Sequence, residues 1–216
     1  MPKSKRAKVV SLTQTDKKGL ETKTQLVEQI QQCLDEYKAA YIFSVDNMRN
    51  AKLKDVRLAW RNSRFFFGKN RVMQRAFGFS AQDEYKPNTH LISEHLKGNV
   101  GILFTNKKHE DVVSWFETFA ELDYARSGNP ATDTVKLTAG PLTEFAHTME
   151  PQLRALGLPT SLKRGIVTLD NDYLVCNKGD SLSPEQARIL KLFSKPMAEF
   201  KIKLTSAWRD GEFSEL

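Results

Sequence analysis

Apolar residues along the chain recur at two alternating spacings. Leu26, Ile30, Leu34 and Tyr37 lie at helical intervals, which predicts an amphipathic helix over residues 23–37. The nearly continuous apolar run 39–45 is typical of a buried strand. The same periodicities predict, in order, a helix capped by Asn50, a strand over 64–68, helices over 70–77 and 88–96, a strand over 100–105 and a helix over 108–119. Strands that alternate with helices indicate an α/β layer.

The pattern changes near Tyr124. The segment DYARSGNPATD is polar, and glycine–proline pairs interrupt the sequence that follows it. Residues 161–169 and 173–176, with a turn at Asp170-Asn171, predict a β-hairpin. Ser183 is placed to cap a helix in a capping box with Gln186. Residues 199–207 alternate between apolar and polar, as in a half-exposed strand.

Positive charge is concentrated in the first third of the chain. The whole sequence has a net charge of +7, whereas residues 1–75 hold 17 basic and 7 acidic side chains, a balance of +10. The first 24 residues have too few apolar side chains to fold alone, so we expect an arm that is disordered or is ordered by a partner. A nuclear or nucleolar address, an RNA-contacting arm and a merely solvated tail are all open interpretations. The arm residues that we predict to contact RNA are Lys3, Lys5, Arg6, Lys8, Lys17 and Lys18.

Composition excludes several classes of protein. A hydrophobic fraction of 40% and a mean hydropathy of −0.49 are typical of a soluble globular protein. No apolar run approaches the roughly 18 residues of a membrane helix, and the charged N-terminus leads into no signal-like stretch. Cys33 and Cys176 form no CxxC motif, so we expect buried thiols in a reducing compartment.

Enzyme motifs are incomplete in this sequence. The histidines lack HExxH spacing, no GxSxG elbow occurs, and Gly68-Lys69-Asn70 lacks the remainder of a phosphate loop. The paired carboxylates, such as Asp83-Glu84, lie in polar segments typical of solvated helix starts. We therefore predict no catalytic residues, no metal site and no cofactor.

Basic residues form a stronger pattern. Lys54, Arg57 and Arg61 lie at i, i+3 and i+7 on the second predicted helix. A second group, which lies where a strand gives way to a helix and is predicted to bind RNA, consists of Lys69, Asn70, Arg71 and Arg75. Each group alone is more often a solvated face, but with the arm they could span several phosphates of a folded RNA. The consecutive Phe65, Phe66 and Phe67 could stack on bases, yet an all-apolar strand favours the core, and we assign them there.

Several long segments resemble one protein family. Residues 43–73, FSVDNMRNAKLKDVRLAWRNSRFFFGKNRVM, resemble the RNA-binding domain of the large-subunit stalk-base ribosomal proteins, the P-zero or L-ten family. The opening MPKSKRAKVVSLTQTDKKGLETK, together with DYARSGNPA, MEPQLRALGLPT and SPEQARILKLF, is similar to nucleolar assembly factors of that family.

The resemblance implies an α/β fold in two domains. A basic arm over 1–22 would precede an rRNA-binding α/β domain over 23–124 of the L-ten/P-zero type. A smaller inserted α+β domain would cover 125–196, and residues 197–216 would return a strand to the first domain. The mature stalk protein continues into helices that carry stalk dimers, whereas this sequence stops at EFSEL, so we expect no stalk dimers among its partners.

The function that the resemblance implies is a trans-acting role in large-subunit assembly. The protein would bind rRNA at the stalk base, the GTPase-associated region, as a placeholder for the mature stalk protein. Implied partners are the pre-ribosomal particle with its L-eleven-type ribosomal protein, and a release factor of the dual-specificity phosphatase family, with no membrane. The implied location is the nucleolus and nucleus, with shuttling to the cytoplasm left open. The rival interpretations are a structural ribosomal protein of the same fold and an RNA-processing enzyme, for which Asp55 alone supplies too few carboxylates on the basic face.

Overall fold

The computed structural model describes residues 19–216, which form two compact units. The first unit comprises residues 19–43, 62–106 and 205–216, and the second comprises 44–61 and 107–204. These units are not the four segments of the predicted domain scheme, and the bounds of that scheme stay a prediction.

The elements alternate between helix and strand in the first half of the chain and are mainly strands in the second. The helices are α1 Leu20–Glu36, α2 Asn50–Ala59, α3 Asn70–Phe77, α4 Thr89–His95, α5 His109–Thr118, α6 Glu150–Ala155 and α7 Pro184–Leu192. The strands are β1 Ala39–Asp46, β2 Arg64–Phe66, β3 Val100–Thr105, β4 Ala120–Asp123, β5 Val135–Leu137, β6 Gly140–Pro141, β7 Thr160–Lys163, β8 Ile166–Leu169, β9 Tyr173–Cys176, β10 Ala198–Arg209 and β11 Glu212–Glu215.

The first unit is built on a sheet with the strand order β11-β10-β1-β3-β2. β2 and β3 are antiparallel, with Phe65 opposite Leu103. Helices α1, α3 and α4 contribute Ile30, Phe77 and Ile92 to its hydrophobic core. α1 begins at Leu20 rather than at residue 23, so the last three residues that we assigned to the arm belong to this helix. Cys33 and Cys176 are both buried free thiols, as predicted, and burial raises the pKa of the Cys33 thiol.

The second unit contains a cluster of aromatic rings. Trp60 stacks on Phe116 with ring centroids 5.1 Å apart, and Trp115 meets Trp60 edge-on. The N-cap of α2 is Arg49 and not Asn50, which is the first helical residue. Arg49 cannot cap with an acceptor oxygen; instead its guanidinium donates to the carboxylate of Asp123 and to the carbonyl of Tyr124.

A second hydrophobic core in this unit lies under two small sheets, β5-β9 and β6-β8-β7. The predicted hairpin with its turn at Asp170-Asn171 is wrong. The hairpin joins β7 to β8 instead, because Arg164 and Gly165 both adopt positive φ, 53° and 80°, as a tight two-residue hairpin turn requires. β9 pairs with β5. The capping box at Ser183 is confirmed, with its hydroxyl accepting from the Gln186 N–H.

The helices of residues 19–216 were also compared with the length and hydropathy of a membrane span. Within that range no helix combines the length and the apolar character that crossing a bilayer would require.

Candidate nucleic-acid interface

The junction between β2 and α3 presents basic side chains because of how α3 packs. Helix α3 buries Met73, Ala76 and Phe77 on one face. With 3.6 residues per turn, Arg71 and Arg75 lie at i and i+4 on the other face, and both are exposed. The packed face is fixed to α4 by polar contacts, among them the bond from the Gln74 side chain to the Ser93 carbonyl at 2.8 Å.

Lys69 lies at the N-cap of α3 and is exposed. Its carbonyl oxygen accepts from the N–H groups of Val72 and Met73, at 2.8 and 3.1 Å, so its backbone belongs to the start of the helix. Its side chain is free to extend outward, because capping is not its role: no side-chain cap bond is formed at this helix end in the described chain. Asn70 is different. Its amide nitrogen donates to the Gly98 carbonyl at 2.9 Å, which commits this predicted RNA-binding group to holding α3 in place.

Arg71 is oriented by an aromatic ring. Its guanidinium carbon lies 5.9 Å from the centroid of Phe79, a residue that is itself exposed. A cation over an aromatic face restricts the long side chain without neutralising its charge. Arg71 is therefore presented to solvent with its position partly fixed.

A groove beside this junction contains two residues that the sequence did not assign to the site. It has a volume of about 800 Å³ and lies between α1 and the connection from β2 to α3. Phe67 lines it and is 38% exposed. Lys23 of α1 and Lys69 line the same groove.

The assignment of Phe67 to the core is wrong, whereas Phe65 and Phe66 are buried as predicted. The reason is that β2 ends at Phe66, so the chain leaves the sheet before Phe67. Three consecutive phenylalanines cannot all enter one core when side chains alternate between faces. The signal that could have found Phe67 is its position directly before Gly68-Lys69, where the strand must end for the helix to begin.

The second predicted group lies on α2, in the second unit. Lys54 and Arg57 are exposed on the helix, whereas Arg61 lies beyond the helix end, one residue after the C-cap Trp60. The predicted i, i+7 relation therefore does not hold as helix geometry. Lys52 on the same helix is an ion-pair partner of Glu121 at 2.5 Å, and the hydrogen bond to that carboxylate raises the pKa of Lys52.

The remaining predicted contacts are those of the arm, which lie outside the described residues: Lys3, Lys5, Arg6, Lys8, Lys17 and Lys18. Among residues 19–216, no three His, Cys, Asp or Glu side chains are grouped as a metal site would require.

Comparison with known proteins places this geometry in a family. A family model described as ribosomal protein L10 matches residues 18–121, and a second one, described as the insertion domain in the 60S ribosomal protein of this family, matches residues 125–194. The fold expected from the resemblance, an α/β domain of this type with an inserted α+β domain, is thereby confirmed.

Three relatives carry the same printed name, ribosome assembly factor mrt4. The protein from Dictyostelium discoideum is 43% identical over 99% of this chain and 96% of its own length. The Schizosaccharomyces pombe protein is 44% identical over 94% of this chain and 90% of its own. The Neurospora crassa protein is 40% identical over 100% of this chain and 94% of its own. With such identity over nearly the full length, the chain belongs to the mrt4 family of ribosome assembly factors, within the ribosomal L10 proteins.

Proposed function

We propose that this protein acts in ribosome biogenesis by binding large-subunit rRNA at the stalk base, the GTPase-associated region, in nuclear pre-ribosomes. There it would hold the place of the mature stalk protein until later assembly. The observation that carries the proposal is the exposed cationic junction of Lys69, Arg71 and Arg75, set on a helix whose other face is packed. The names of the relatives support the assembly role, and the ribosomal L10 match supports an rRNA site.

The chemistry of the junction suits phosphate groups. Lys69 supplies a compact ammonium, while Arg71 and Arg75 supply planar guanidinium groups that can bind phosphate oxygens in pairs. No specificity for base sequence follows from such contacts, because phosphates position a protein on RNA without reporting its sequence. Shape and single-stranded features of the folded RNA would supply the discrimination.

Lys54 and Arg57 on α2, with Arg61 after it, form a second exposed basic group. We propose that it contacts the same RNA, as does the basic arm. Asp55 is the acidic residue beside this group, and one carboxylate supplies neither a metal site nor an acid–base pair. The proposed role is therefore non-enzymatic.

The finer parts of the proposal concern partners and location. The protein would lie next to the L-eleven-type ribosomal protein on the precursor and would not carry stalk dimers. A release factor of the dual-specificity phosphatase family, or maturation of the particle itself, would drive its departure. Its place of action would be the nucleolus and nucleus.

Equilibrium binding to a stalk-base rRNA fragment tests the site. A footprint of about five phosphates gives a slope of log affinity against log salt of roughly −3 to −5. Replacing Lys69, Arg71 and Arg75 with alanine should weaken binding and flatten that slope by about 2 to 3, without unfolding the protein. The matched control removes three exposed lysines of the second unit, Lys178, Lys191 and Lys195, for the same change in charge. A wild-type slope near zero, or equal losses in both triple variants, would contradict the proposal.

A further inference from the structure

Phe67 is held at the surface in a fixed orientation. Its ring meets the fully buried ring of Phe43 edge-on, with centroids 5.2 Å apart and planes at 80°. Phe43 is in turn packed against Phe65 at 5.8 Å. An aromatic side chain that is anchored in the core yet 38% exposed presents a pre-oriented apolar surface to whatever enters the groove.

The groove beside Phe67 has an apolar floor and cationic walls. Leu26 and Val72 line it together with Phe67, and Lys23 and Lys69 line it as well. No carboxylate is present among the described residues that line it. Its volume of about 800 Å³ lies within the roughly 300–1,000 Å³ typical of sites for small organic groups.

The backbone approaches α1 closely where it bounds this groove. A Cβ built on Gly68 would lie 2.8 Å from Cδ2 of Leu26 and 3.4 Å from Cγ of Met73. A side chain at this position would push into the groove lining. Glycine between Phe67 and Lys69 therefore keeps the space between the aromatic ring and the ammonium group open.

These features match one kind of occupant better than others. An apolar peptide would use Phe67, Leu26 and Val72 but would gain nothing from two lysines. A free phosphate would use the lysines but leave the apolar floor exposed to water. A nucleotide of single-stranded RNA uses both, because its base has a flat apolar face and its phosphate is an anion.

We propose that the groove binds an unpaired nucleotide of the RNA, with its base stacked on Phe67 and an adjoining phosphate against Lys23 and Lys69. The inference rests on the proposed rRNA binding and specifies the kind of RNA feature that is bound. Flipped-out or loop nucleotides are the features by which proteins commonly distinguish one folded RNA from another. Phe67 would thus supply discrimination that the phosphate contacts of α3 lack.

The test uses the full-length protein and a stalk-base rRNA fragment in which unpaired adenines are replaced, one at a time, by fluorescent 2-aminopurine. We expect one position to be quenched on binding to the wild-type protein. Phe67→Leu should abolish that quenching and weaken binding about 5- to 100-fold, the range for loss of one base–aromatic stack. Its salt slope should stay at the wild-type value because no phosphate contact is removed. Phe67→Trp should restore both affinity and quenching.

Tyr85→Leu is the matched control, since Tyr85 is an exposed ring of the same unit that does not line the groove. It should bind like the wild type. Normal wild-type binding with no quenched position, and with Phe67→Leu equal to Tyr85→Leu, would overturn the stacking inference and leave the proposed function standing. A wild-type protein that binds without salt dependence would overturn both.

The groove could instead hold the segment that precedes α1. In that case Phe67→Leu would lower the melting temperature of the full chain but not that of a chain lacking residues 1–18, and RNA affinity would be unchanged. That combination would also overturn the proposal.

Discussion

Phe43 supports Phe67 from within the core: the two rings meet edge-on at 5.2 Å, one fully buried and the other 38% exposed. The same contact joins the interior of the first unit to the surface that we propose for RNA. Core packing therefore determines where the exposed ring points.

The two rings should differ sharply in their contribution to stability. Phe43→Ala removes a fully buried ring and should lower the free energy of unfolding by about 3–5 kcal/mol. Phe67→Ala removes a half-exposed ring and one aromatic pair, so the loss should be about 1 kcal/mol. Urea denaturation of both variants measures the difference. Equal losses would mean that Phe67 is a core residue after all.

Gly101 in β3 has no room for a side chain. A Cβ there would lie 2.5 Å from Cζ of Phe43 and 2.9 Å from the carbonyl oxygen of Phe66, which is a backbone atom of the β2–β3 ladder. We expect Gly101→Ala to destabilise the protein by about 1–3 kcal/mol, although alanine normally stabilises a strand relative to glycine.

Gly68→Ala provides the comparison for that variant. Its nearest obstacle is Cδ2 of Leu26, the end of a flexible side chain, and the next is the side chain of Met73. The loss of stability should therefore be smaller than at Gly101. Thermal denaturation that ranks the two variants in the opposite order would show that the contact with the Phe66 carbonyl is easily relieved.

The Arg49–Asp123 pair should make stability depend on pH. Burial would raise the pKa of Asp123, but hydrogen bonds from the Tyr124 N–H and from Arg49 outweigh it and hold the pKa below the ordinary value of 3.8. The stabilisation is therefore complete above that value and is lost as the pH falls through the lowered native pKa.

At neutral pH, Asp123→Asn should cost about 1–2 kcal/mol, a modest amount because the Arg49 side chain is a third exposed. Urea unfolding measured across acid pH should show the wild type and the variant converging. Asp83→Asn, at an exposed position, is the control and should follow the wild type at every pH. A constant gap between wild type and Asp123→Asn would rule out this pair as the source of the pH dependence.

The alternation of helix and strand was readable from the sequence wherever an element spans several periods. Helices α3 and α5 and strand β3 lie close to the predicted ranges, because each buries an apolar face that repeats at the period of its own structure. The strands β4 and β11 were not predicted. Each has four residues with partly exposed side chains, so neither carries a full hydrophobic pattern.

The candidate site was predicted in its charges but not in its shape. The exposure of Lys69, Arg71 and Arg75 follows from their spacing around the buried positions of α3. The groove does not follow from spacing, because it depends on where α1 lies beside Phe67, a contact between segments some 40 residues apart. Tertiary placement of that kind has no local signal in the sequence.

Deletion of residues 1–18 tests the role of the basic arm. The deletion removes six basic side chains but leaves α1, which begins at Leu20, complete. We expect weaker binding to the rRNA fragment, a smaller salt slope and reduced nucleolar retention, with a nearly unchanged melting temperature. A large fall in melting temperature would show that the arm contributes to the folded core.

The measurement that tests the placeholder role most directly is native mass spectrometry of the stalk-base rRNA fragment mixed with this protein and the mature L10-type stalk-base protein. If both proteins use one surface type on one rRNA site, each should form a one-to-one complex with the fragment. Increasing amounts of one should displace the other, and no particle should contain both. A stable complex of the fragment with both proteins at once would contradict the account, even if each protein bound the RNA tightly alone.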